Sequence, residues 1–185
     1  MNKWNQKRTT MQRYNLTAKT YEMRYAEEQA VKYKAALEHL KINLHGIVLD
    51  VGCGTGLLFS HVAAEAETVV GMDISGKLLR HAKERARGFR NVQLVQADAD
   101  NLPFKNDQFT VVFAFTMLQN MPKPLKTLSE IKRIAERNAT MVVTGLKKAF
   151  SLEVFRELLQ NADLQVVSLE DADAIKCYVA VTVQN

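Results

Sequence analysis

The amino-acid sequence predicts an α/β protein built on a Rossmann-like, doubly wound, seven-stranded sheet that is mostly parallel. Short apolar runs alternate with helical patterns of about 10–15 residues, which is typical of βαβ units and of a parallel sheet covered on both faces. The last two apolar runs have no helix between them. They therefore predict an antiparallel hairpin at the carboxyl end of the sheet.

The first part of the chain is polar before it becomes helical. Residues 1–13 are expected to be flexible, and apolar residues recur at helical spacing from Tyr14 to Leu40. We therefore expect residues 1–46 to form a basic N-terminal arm with lid helices. Residues 47–185 are expected to form the globular core.

The core elements follow from the alternation of apolar runs and helical patterns. Strands are predicted over Ile47–Val51, Thr68–Met72, Val92–Gln96, Phe109–Phe115, Thr140–Thr144, Gln165–Glu170 and Ala174–Val183. Helices are predicted over Leu57–Ala66, Gly76–Arg87, Leu125–Glu136 and Leu152–Gln160. The segment Asp171–Asp173 fits a tight turn between the last two strands.

Composition excludes several classes of protein. A chain of 185 residues is the size of one domain, and its 47% hydrophobic and 24% charged residues are unlike those of a disordered or fibrous chain. Its apolar runs are far shorter than the roughly 20 residues that span a bilayer, and no secretory signal pattern opens it. Cys53 and Cys177 are far apart, so neither a disulfide framework nor a metal site is indicated. We expect a soluble, cytoplasmic protein.

The formal net charge of +5 originates in the N-terminal segment. Residues 1–25 carry six basic side chains and one acidic one, whereas the charges of residues 26–185 balance. A solvated terminus fits this pattern, and so does a basic arm that meets an anionic partner such as RNA. Both interpretations stay open at this point.

The most informative motif is a glycine loop. The segment Val48–Phe59 runs from a buried strand through Gly52, Gly54 and Gly56 directly into a helix. Glycines allow a sharp turn and a close approach to a ligand, and the helix behind them offers unsatisfied N–H groups. The dinucleotide fingerprint GxGxxG would require a glycine at Leu57, so a NAD-type loop is excluded.

Three acidic residues stand at or just after the ends of successive predicted strands: Asp50, Asp73 and Asp98. Because the carboxyl ends of parallel strands share one edge of the sheet, we expect these carboxylates to converge on one crevice. Asp73 follows Gly52 by 21 residues. At that place a carboxylate can accept hydrogen bonds from both hydroxyls of a ribose.

Together these motifs resemble the class I S-adenosylmethionine-dependent methyltransferases, and most closely the broad ubiquinone/menaquinone-biosynthesis group. The resemblance covers roughly residues 14–183 and implies a methyltransferase core over residues 47–185 that binds S-adenosylmethionine. It rests on the segments Leu49–Gly56, Gly71–Ser75, Ala97–Phe104, Asp107–Phe113 and Leu118–Pro122.

For the methionine portion of the cofactor, the resemblance implies backbone contacts from the loop residues Gly52, Cys53 and Gly54. Asp50 would orient the amino group of the methionine portion, and Phe115 would present its carbonyl toward the ammonium. Carboxylates and carbonyls suit a ligand that carries an ammonium and a sulfonium.

For the adenosine portion, the resemblance implies that Asp73 binds the ribose diol and that Ile74 lies against the adenine. Asp98 would accept a hydrogen bond from the adenine amine. Ala99 would supply a backbone donor.

An aromatic lid is the remaining implied feature. Tyr14 and Tyr21 lie seven residues apart, and Tyr25 continues their helical stripe. Such a stripe ordinarily packs against a core. In related enzymes a similar Tyr…Ala…Tyr stretch lies here, and an aromatic face attracts a cation such as a sulfonium. Tyr14 or Tyr21 is therefore expected to face the cofactor.

The catalytic residue and the acceptor are not defined by the sequence. Methyl transfer is an in-line displacement in which positioning lowers the barrier, and a general base is needed only for a protonated acceptor. Phe115–Leu118 does not match the Asn/Asp-Pro-Pro-Tyr/Phe motif of enzymes that methylate exocyclic amines of bases or glutamine. Arg137–Ala139 replaces the Pro-Gly-Gly that is usual in the family before the fifth strand, so the subfamily is not defined either. We expect a small-molecule acceptor, with an RNA methyltransferase (tRNA or rRNA), dimeric or paired with an activator subunit, as the alternative. A cofactor-binding protein without catalysis is the third hypothesis.

Overall fold

The computed structural model describes residues 3–40 and 44–184, and within them all side chains except those of residues 3, 17–25, 35 and 38–40. The strands are β1 Ile47–Val51, β2 Thr68–Asp73, β3 Val92–Gln96, β4 Phe109–Ala114, β5 Ala135–Leu146, β6 Leu164–Glu170 and β7 Cys177–Gln184. The helices are α1 Lys3–Leu40, α2 Phe59–Val62, α3 Gly76–Ala86, α4 Pro124–Ile134 and α5 Leu152–Asn161, with a short 3-10 turn at Leu118–Asn120.

In this described part of the chain, seven strands form one sheet in the order β3-β2-β1-β4-β5-β7-β6. Strands β1 to β5 are parallel, and β7 pairs antiparallel with both β5 and β6. The predicted fold class is therefore confirmed, including its antiparallel carboxyl-terminal strands. The chain crosses the sheet between β3 and β4, so the carboxyl ends of β1 and β4 flank a topological switch point, where open α/β sheets bind ligands.

The core lies in two layers, one on each face of the sheet. Alternate residues of each strand point to opposite faces, so Leu49 belongs to one layer and Val48 to the other. Leu128 of α4 and Phe155 of α5 pack in the first layer. Phe59 of α2 packs in the second layer, together with residues of α1 and α3.

Helix α1 is the main difference from the predicted elements. Residues 1–13 were expected to be flexible, but α1 begins at Lys3 and its first turns lie over the sheet edge. These turns pack against a polar rim and not against the core. Residues 3–13 therefore carry no apolar face that would indicate a helix in the sequence. The prediction that the chain is flexible before Tyr14 is therefore wrong for residues 3–13, which are helical.

Three boundaries also shift. The helix after the glycine loop covers only Phe59–Val62, because Gly56 still has a φ of 79° and a helix cannot start before it. Strand β5 begins at Ala135 and includes a left-handed residue at Asn138 (φ 69°). Strand β7 begins at Cys177, and the connection before it is a longer loop than a tight turn, closed by the Ile175 N–H donating to the Ala172 carbonyl.

The described helices, α1 included, do not combine the length and apolar composition that a membrane crossing requires.

Gly145 in β5 offers a test of how tightly the first core layer is packed. A Cβ at this position would lie 2.6 Å from the Phe155 ring, so Gly145→Ala should lower the free energy of unfolding by about 1–3 kcal/mol. Urea denaturation measures this change. Gly88→Ala is the control, because the nearest atom to its Cβ is 3.5 Å away. Equal stability of the two variants would contradict the packing described here.

Candidate active site

The glycine loop folds back onto the neighbouring strand. Gly52 and Gly54 both have positive φ values, 77° and 57°, which glycine adopts without steric cost. The N–H groups of Gly52 and Cys53 donate to the Met72 carbonyl at 2.7 and 2.9 Å. These two bonds fix the start of the loop against the end of β2.

The carboxylate of Asp73 holds the rest of the loop. Its Oδ2 accepts from the Gly54 N–H at 3.0 Å, and its Oδ1 accepts from the Ser75 N–H at 2.7 Å. Burial raises the pKa of Asp73, and these N–H donors oppose the rise. Ser75 then caps α3, since its Oγ accepts from the Leu78 N–H at 3.1 Å.

A cavity of about 690 Å³, which includes its part open to solvent, lies over this arrangement at the carboxyl edge of the sheet. Its wall contains most of the residues singled out by the sequence: Tyr14, Gly52, Gly54, Asp73, Ile74, Asp98, Ala99 and Phe115. The glycine loop and the residues that follow β2, β3 and β4 therefore come together around one cavity.

A second, smaller cavity adjoins the first and shares Gly52 and Phe115 with it. Asp50 and Cys53 line this second space instead of the main one, so the three carboxylates do not share a single cavity. Asp50 and Val51 are neighbours in β1, so their side chains point to opposite faces of the sheet. This alternation directs Asp50 away from the main cavity.

Asp50 is nearly fully buried. Burial, together with the charge of Asp73, raises the pKa of Asp50 to about 8. The carboxyl group is therefore largely protonated at neutral pH, and a cation entering the adjoining space would favour its ionised form. Burial also raises the pKa of the Cys53 thiol well above its ordinary value. A protonated thiol is a poor nucleophile, so Cys53 serves as a small loop residue.

Helix α1 closes the main cavity with residues that the sequence analysis did not identify. Lys7 and Thr10 line it together with Tyr14. The Lys7 ammonium contacts the Asp98 carboxylate at 2.6 and 2.8 Å and Asp100 Oδ2 at 2.5 Å. The side chain of Tyr21 lies outside the described residues.

The mouth of the cavity is formed by α1 and the 3-10 turn. Asn120 donates from Nδ2 to the Tyr14 hydroxyl at 3.1 Å and accepts from Arg13 Nη2 at the same distance. The Arg13 guanidinium lies 5.1 Å from the centre of the Tyr14 ring. Tyr14 is thus held in the wall by its neighbours, with its hydroxyl already bonded.

The later part of α1 covers the smaller cavity. Gln29 and Tyr33 line this cavity, and the Tyr33 ring packs edge-on against Phe115 with ring centres 4.9 Å apart. Lys32 is fully buried. Its ammonium donates to Glu28 Oε1 at 2.8 Å and to Thr116 Oγ1 at 3.0 Å.

Thr116 follows β4 and lines the main cavity in a left-handed conformation, φ 54°. This is unusual for a β-branched residue and is typical of functional sites. Several bonds hold it: its N–H donates to Thr144 Oγ1 at 2.6 Å, and its carbonyl accepts from Gln119 Nε2 at 2.6 Å. Gln29 Nε2 donates to its hydroxyl at 3.2 Å.

One sequence signal would have revealed the first of these missed residues. Lys7 and Thr10 precede Tyr14 by seven and four residues, so they share its helical stripe. Extending the predicted helix towards the N-terminus would have brought them to the site. Gln29 and Tyr33 likewise stand four and eight residues after Tyr25 on the same register. Thr116 carried no signal, because its conformation depends on bonds from distant elements.

Comparison with known proteins identifies the family. The family model described as a methyltransferase domain matches residues 49–143. A demethylmenaquinone methyltransferase of Staphylococcus haemolyticus is 32% identical over 136 residues, which is 71% of this chain and 56% of that protein. The chain spans about half the length of the curated relatives that it matches.

Solved structures share the fold. A SAM-dependent methyltransferase from Aquifex aeolicus superposes with a TM-score of 0.72 at 20% identity, covering 83% of this chain and 89% of that one. A structure of the complex between the Haloferax volcanii Trm112 methyltransferase activator and a methyltransferase gives a TM-score of 0.74 at 18% identity, over 92% and 96% of the two chains.

The fold, the glycine loop and the match to the family model all indicate the same family. The chain belongs to the class I S-adenosylmethionine-dependent methyltransferases, as its sequence resemblance indicated, and its cofactor is S-adenosylmethionine.

The buried Asp50 carboxyl group predicts a characteristic pH dependence of stability. Its pKa is about 8 in the folded chain and 3.8 ordinarily, so between these values the folded state binds more protons than the unfolded state. Stability should fall as the pH rises across this interval. Asp50→Asn should reduce the fall and stabilise the protein at pH 7 by on the order of 4 kcal/mol, because each of the roughly three pH units between the ordinary pKa and pH 7 contributes about 1.4 kcal/mol.

Urea unfolding at pH 5, 7 and 8 tests this expectation. Asp173→Asn is the matched control, because Asp173 is exposed in the loop before β7. A pH slope in Asp50→Asn as steep as that of the control would contradict the assigned state of Asp50.

Proposed function

We propose that this chain transfers the methyl group of S-adenosylmethionine to a small-molecule acceptor. The observation that carries the proposal is the common cavity formed by the positive-φ glycine loop, Asp73 and Asp98 at the switch point of the sheet. The donor set fits the cofactor, since carboxylates and backbone groups suit its hydroxyls, amine and positive charges.

In this proposal the adenosine portion lies between β2 and β3. Each Asp73 oxygen already accepts one N–H bond, and a carboxylate has about four acceptor positions, so Asp73 keeps capacity for the two ribose hydroxyls. Ile74 lies against the adenine ring. Asp98 accepts from the adenine amine, and Ala99 supplies a backbone donor.

The methionine portion extends towards the boundary of the two cavities. Gly52, Cys53 and Gly54 approach it through their backbone. Asp50 and the Phe115 carbonyl orient its ammonium, since Phe115 lines both cavities and Asp50 the smaller one. Tyr14 covers the sulfonium region. Tyr21 is included in the proposal because it lies on the same helical stripe of the sequence as Tyr14.

When bound, the cofactor supplies an electrophilic methyl group on a positively charged sulfur. The residues of the chain then act by position: the loop and Asp73 fix one reactant, and α1 excludes water from above it. Among the described residues that line the two cavities there is no histidine. The proposal therefore assigns no general base, which suits an acceptor that reacts in its ionised or neutral nucleophilic form.

Two observations support a small acceptor. The relative reported above, from Staphylococcus haemolyticus, is named a demethylmenaquinone methyltransferase. Lys7, Thr10 and Tyr14 also cover the cavity from the α1 side, which favours a small molecule over a large one.

RNA is the second candidate acceptor, favoured by the excess charge of residues 1–25 and by the likeness to a methyltransferase in complex with an activator. The contacts of α1 weaken it. Lys7 is buried against two carboxylates, and Arg13 is engaged with Asn120 and Tyr14. Arg8 is exposed and remains available to an anionic partner. A dimer or an activator subunit belongs to this second candidate.

Asp73→Asn tests the cofactor site. One of its amide N–H groups must face the N–H of Gly54 or Ser75, so the loop is disturbed and an acceptor position is lost. We expect S-adenosylmethionine affinity, measured by calorimetry, to fall at least about 100-fold. Asp173→Asn is the control and should bind as the unaltered chain does. Equal binding by Asp73→Asn would contradict the proposed site.

Arg8→Glu tests the RNA alternative. If the basic segment binds RNA through its exposed face, this change should weaken tRNA binding at least about tenfold. The slope of log affinity against log salt concentration should also decrease by the equivalent of about two phosphate contacts. Cofactor affinity should stay unchanged, because Arg8 does not line the cavity. Absence of tRNA binding by the unaltered chain, together with methyl transfer to a small-molecule fraction, would leave the first proposal alone.

A further inference from the structure

We infer that Lys7 is an internal competitor for the adenine position, and that the cofactor enters by displacing Lys7 together with the first turns of α1. This inference rests on the proposed function, because it takes Asp98 as the acceptor for the adenine amine.

The inference begins with the contacts of the Lys7 ammonium. It contacts both oxygens of Asp98, at 2.6 and 2.8 Å, and Oδ2 of Asp100 at 2.5 Å. An ammonium is a nitrogen donor, like the exocyclic amine of adenine, and it takes the carboxylate that the amine would use. Lys7, Asp98 and Ala99 also line the same cavity, so an adenine edge that reaches Asp98 meets the lysine side chain.

The burial of these groups shows that the contact is built into the fold. The Lys7 side chain is 8% exposed, and those of Asp98 and Asp100 are 20% and 9% exposed. A buried lysine is uncommon unless it is paired. The carboxylates are also held from behind: Asp98 Oδ1 accepts the Asp100 N–H at 3.0 Å, and Asp100 Oδ1 accepts the Thr127 hydroxyl. The acidic side of the pair is thus fixed, and the lysine side has to move.

The first turns of α1 are held mainly by polar contacts. Among the described side chains of residues 4–16, only Lys7 is buried, and Trp4 and Leu16 are 54% and 82% exposed. The site rim is also contacted by Arg13 and Tyr14, both through Asn120, and by Asn15, which accepts from Ser75 Oγ at 2.7 Å. A segment that buries so little apolar surface can leave the sheet edge without disrupting either core layer.

The need to displace Lys7 lowers the measured affinity for the cofactor. Only the fraction of molecules with Asp98 released can accept adenine, so the apparent affinity and association rate are reduced by that fraction. Removing the lysine amine should relieve the reduction. The first turns of α1 would then be held to the sheet edge by fewer contacts and would leave it more often.

Stopped-flow binding of S-adenosylmethionine and of S-adenosylhomocysteine tests the inference. Lys7→Met should raise the association rate constant at least about tenfold for both ligands and lower the dissociation constant. Arg8→Met is the matched control: it removes the same charge one residue away, on an exposed position, and so reproduces any change in electrostatic steering. Lys7→Gln keeps a neutral donor, and its rate should lie between those of the unaltered chain and Lys7→Met.

Trp4 provides a direct signal of the movement. It is the single tryptophan of the chain and stands one helical turn before Lys7. Its fluorescence should change when either ligand saturates the unaltered chain. Ligand-free Lys7→Met should already show part of that change, whereas ligand-free Arg8→Met should not.

Equal association rates for Lys7→Met and Arg8→Met would overturn the inference, and so would weaker binding by Lys7→Met, which would make Lys7 a contact of the cofactor. Unchanged Trp4 fluorescence on saturation would also overturn it. If the unaltered chain and all variants fail to bind either ligand, the proposed function itself fails. Binding by the unaltered chain separates the two cases.

Discussion

Two backbone N–H groups, one from the glycine loop after β1 and one from the turn after β2, converge on the carboxylate of Asp73, and the site depends on that convergence. The Gly54 N–H fixes the glycine loop to β2, and the Ser75 N–H fixes the beginning of α3. A buried carboxylate is costly without such donors. With them, one side chain determines where the loop, the strand end and the helix begin, and the cavity wall follows from these positions.

The covering helix depends on this frame in turn. Asn15 of α1 accepts from the Ser75 hydroxyl, and the same hydroxyl accepts the N–H of Leu78 that starts α3. Two of the described cationic side chains of α1, Lys7 and Lys32, are buried and contact residues that follow different strands. Part of the positive charge of the N-terminal segment is therefore neutralised inside the molecule. A count of charges from the sequence overstates what this segment presents to a partner.

Much of the architecture could be predicted from sequence because it depends on local patterns. The alternation of apolar runs specifies the strands, and the spacing of glycines and acids specifies the switch point. The prediction failed where a segment is organised by distant contacts. Residues 3–13 have no apolar face, so their helix could not be recognised, although their polar side chains find partners in the loop after β3 and in the 3-10 turn. Asp50 was correctly placed at the sheet edge, but strand alternation directs it into the smaller cavity.

Because of the buried Lys32, the later part of helix α1 is held to the sheet more firmly than its first turns. Lys32 links Glu28 of α1 to Thr116 after β4, and Glu28 Oε2 accepts a further bond from Lys176 at 2.8 Å, just before β7. Tyr33 and Ala36 add core packing beside it. In the proposed binding mode, the methionine end of the site is covered by contacts that are tied to the core, whereas the adenine end is covered by the polar contacts of the first turns of α1. Exchange of cofactor and product would then proceed from the adenine side, and the methionine side would stay in place throughout the reaction cycle.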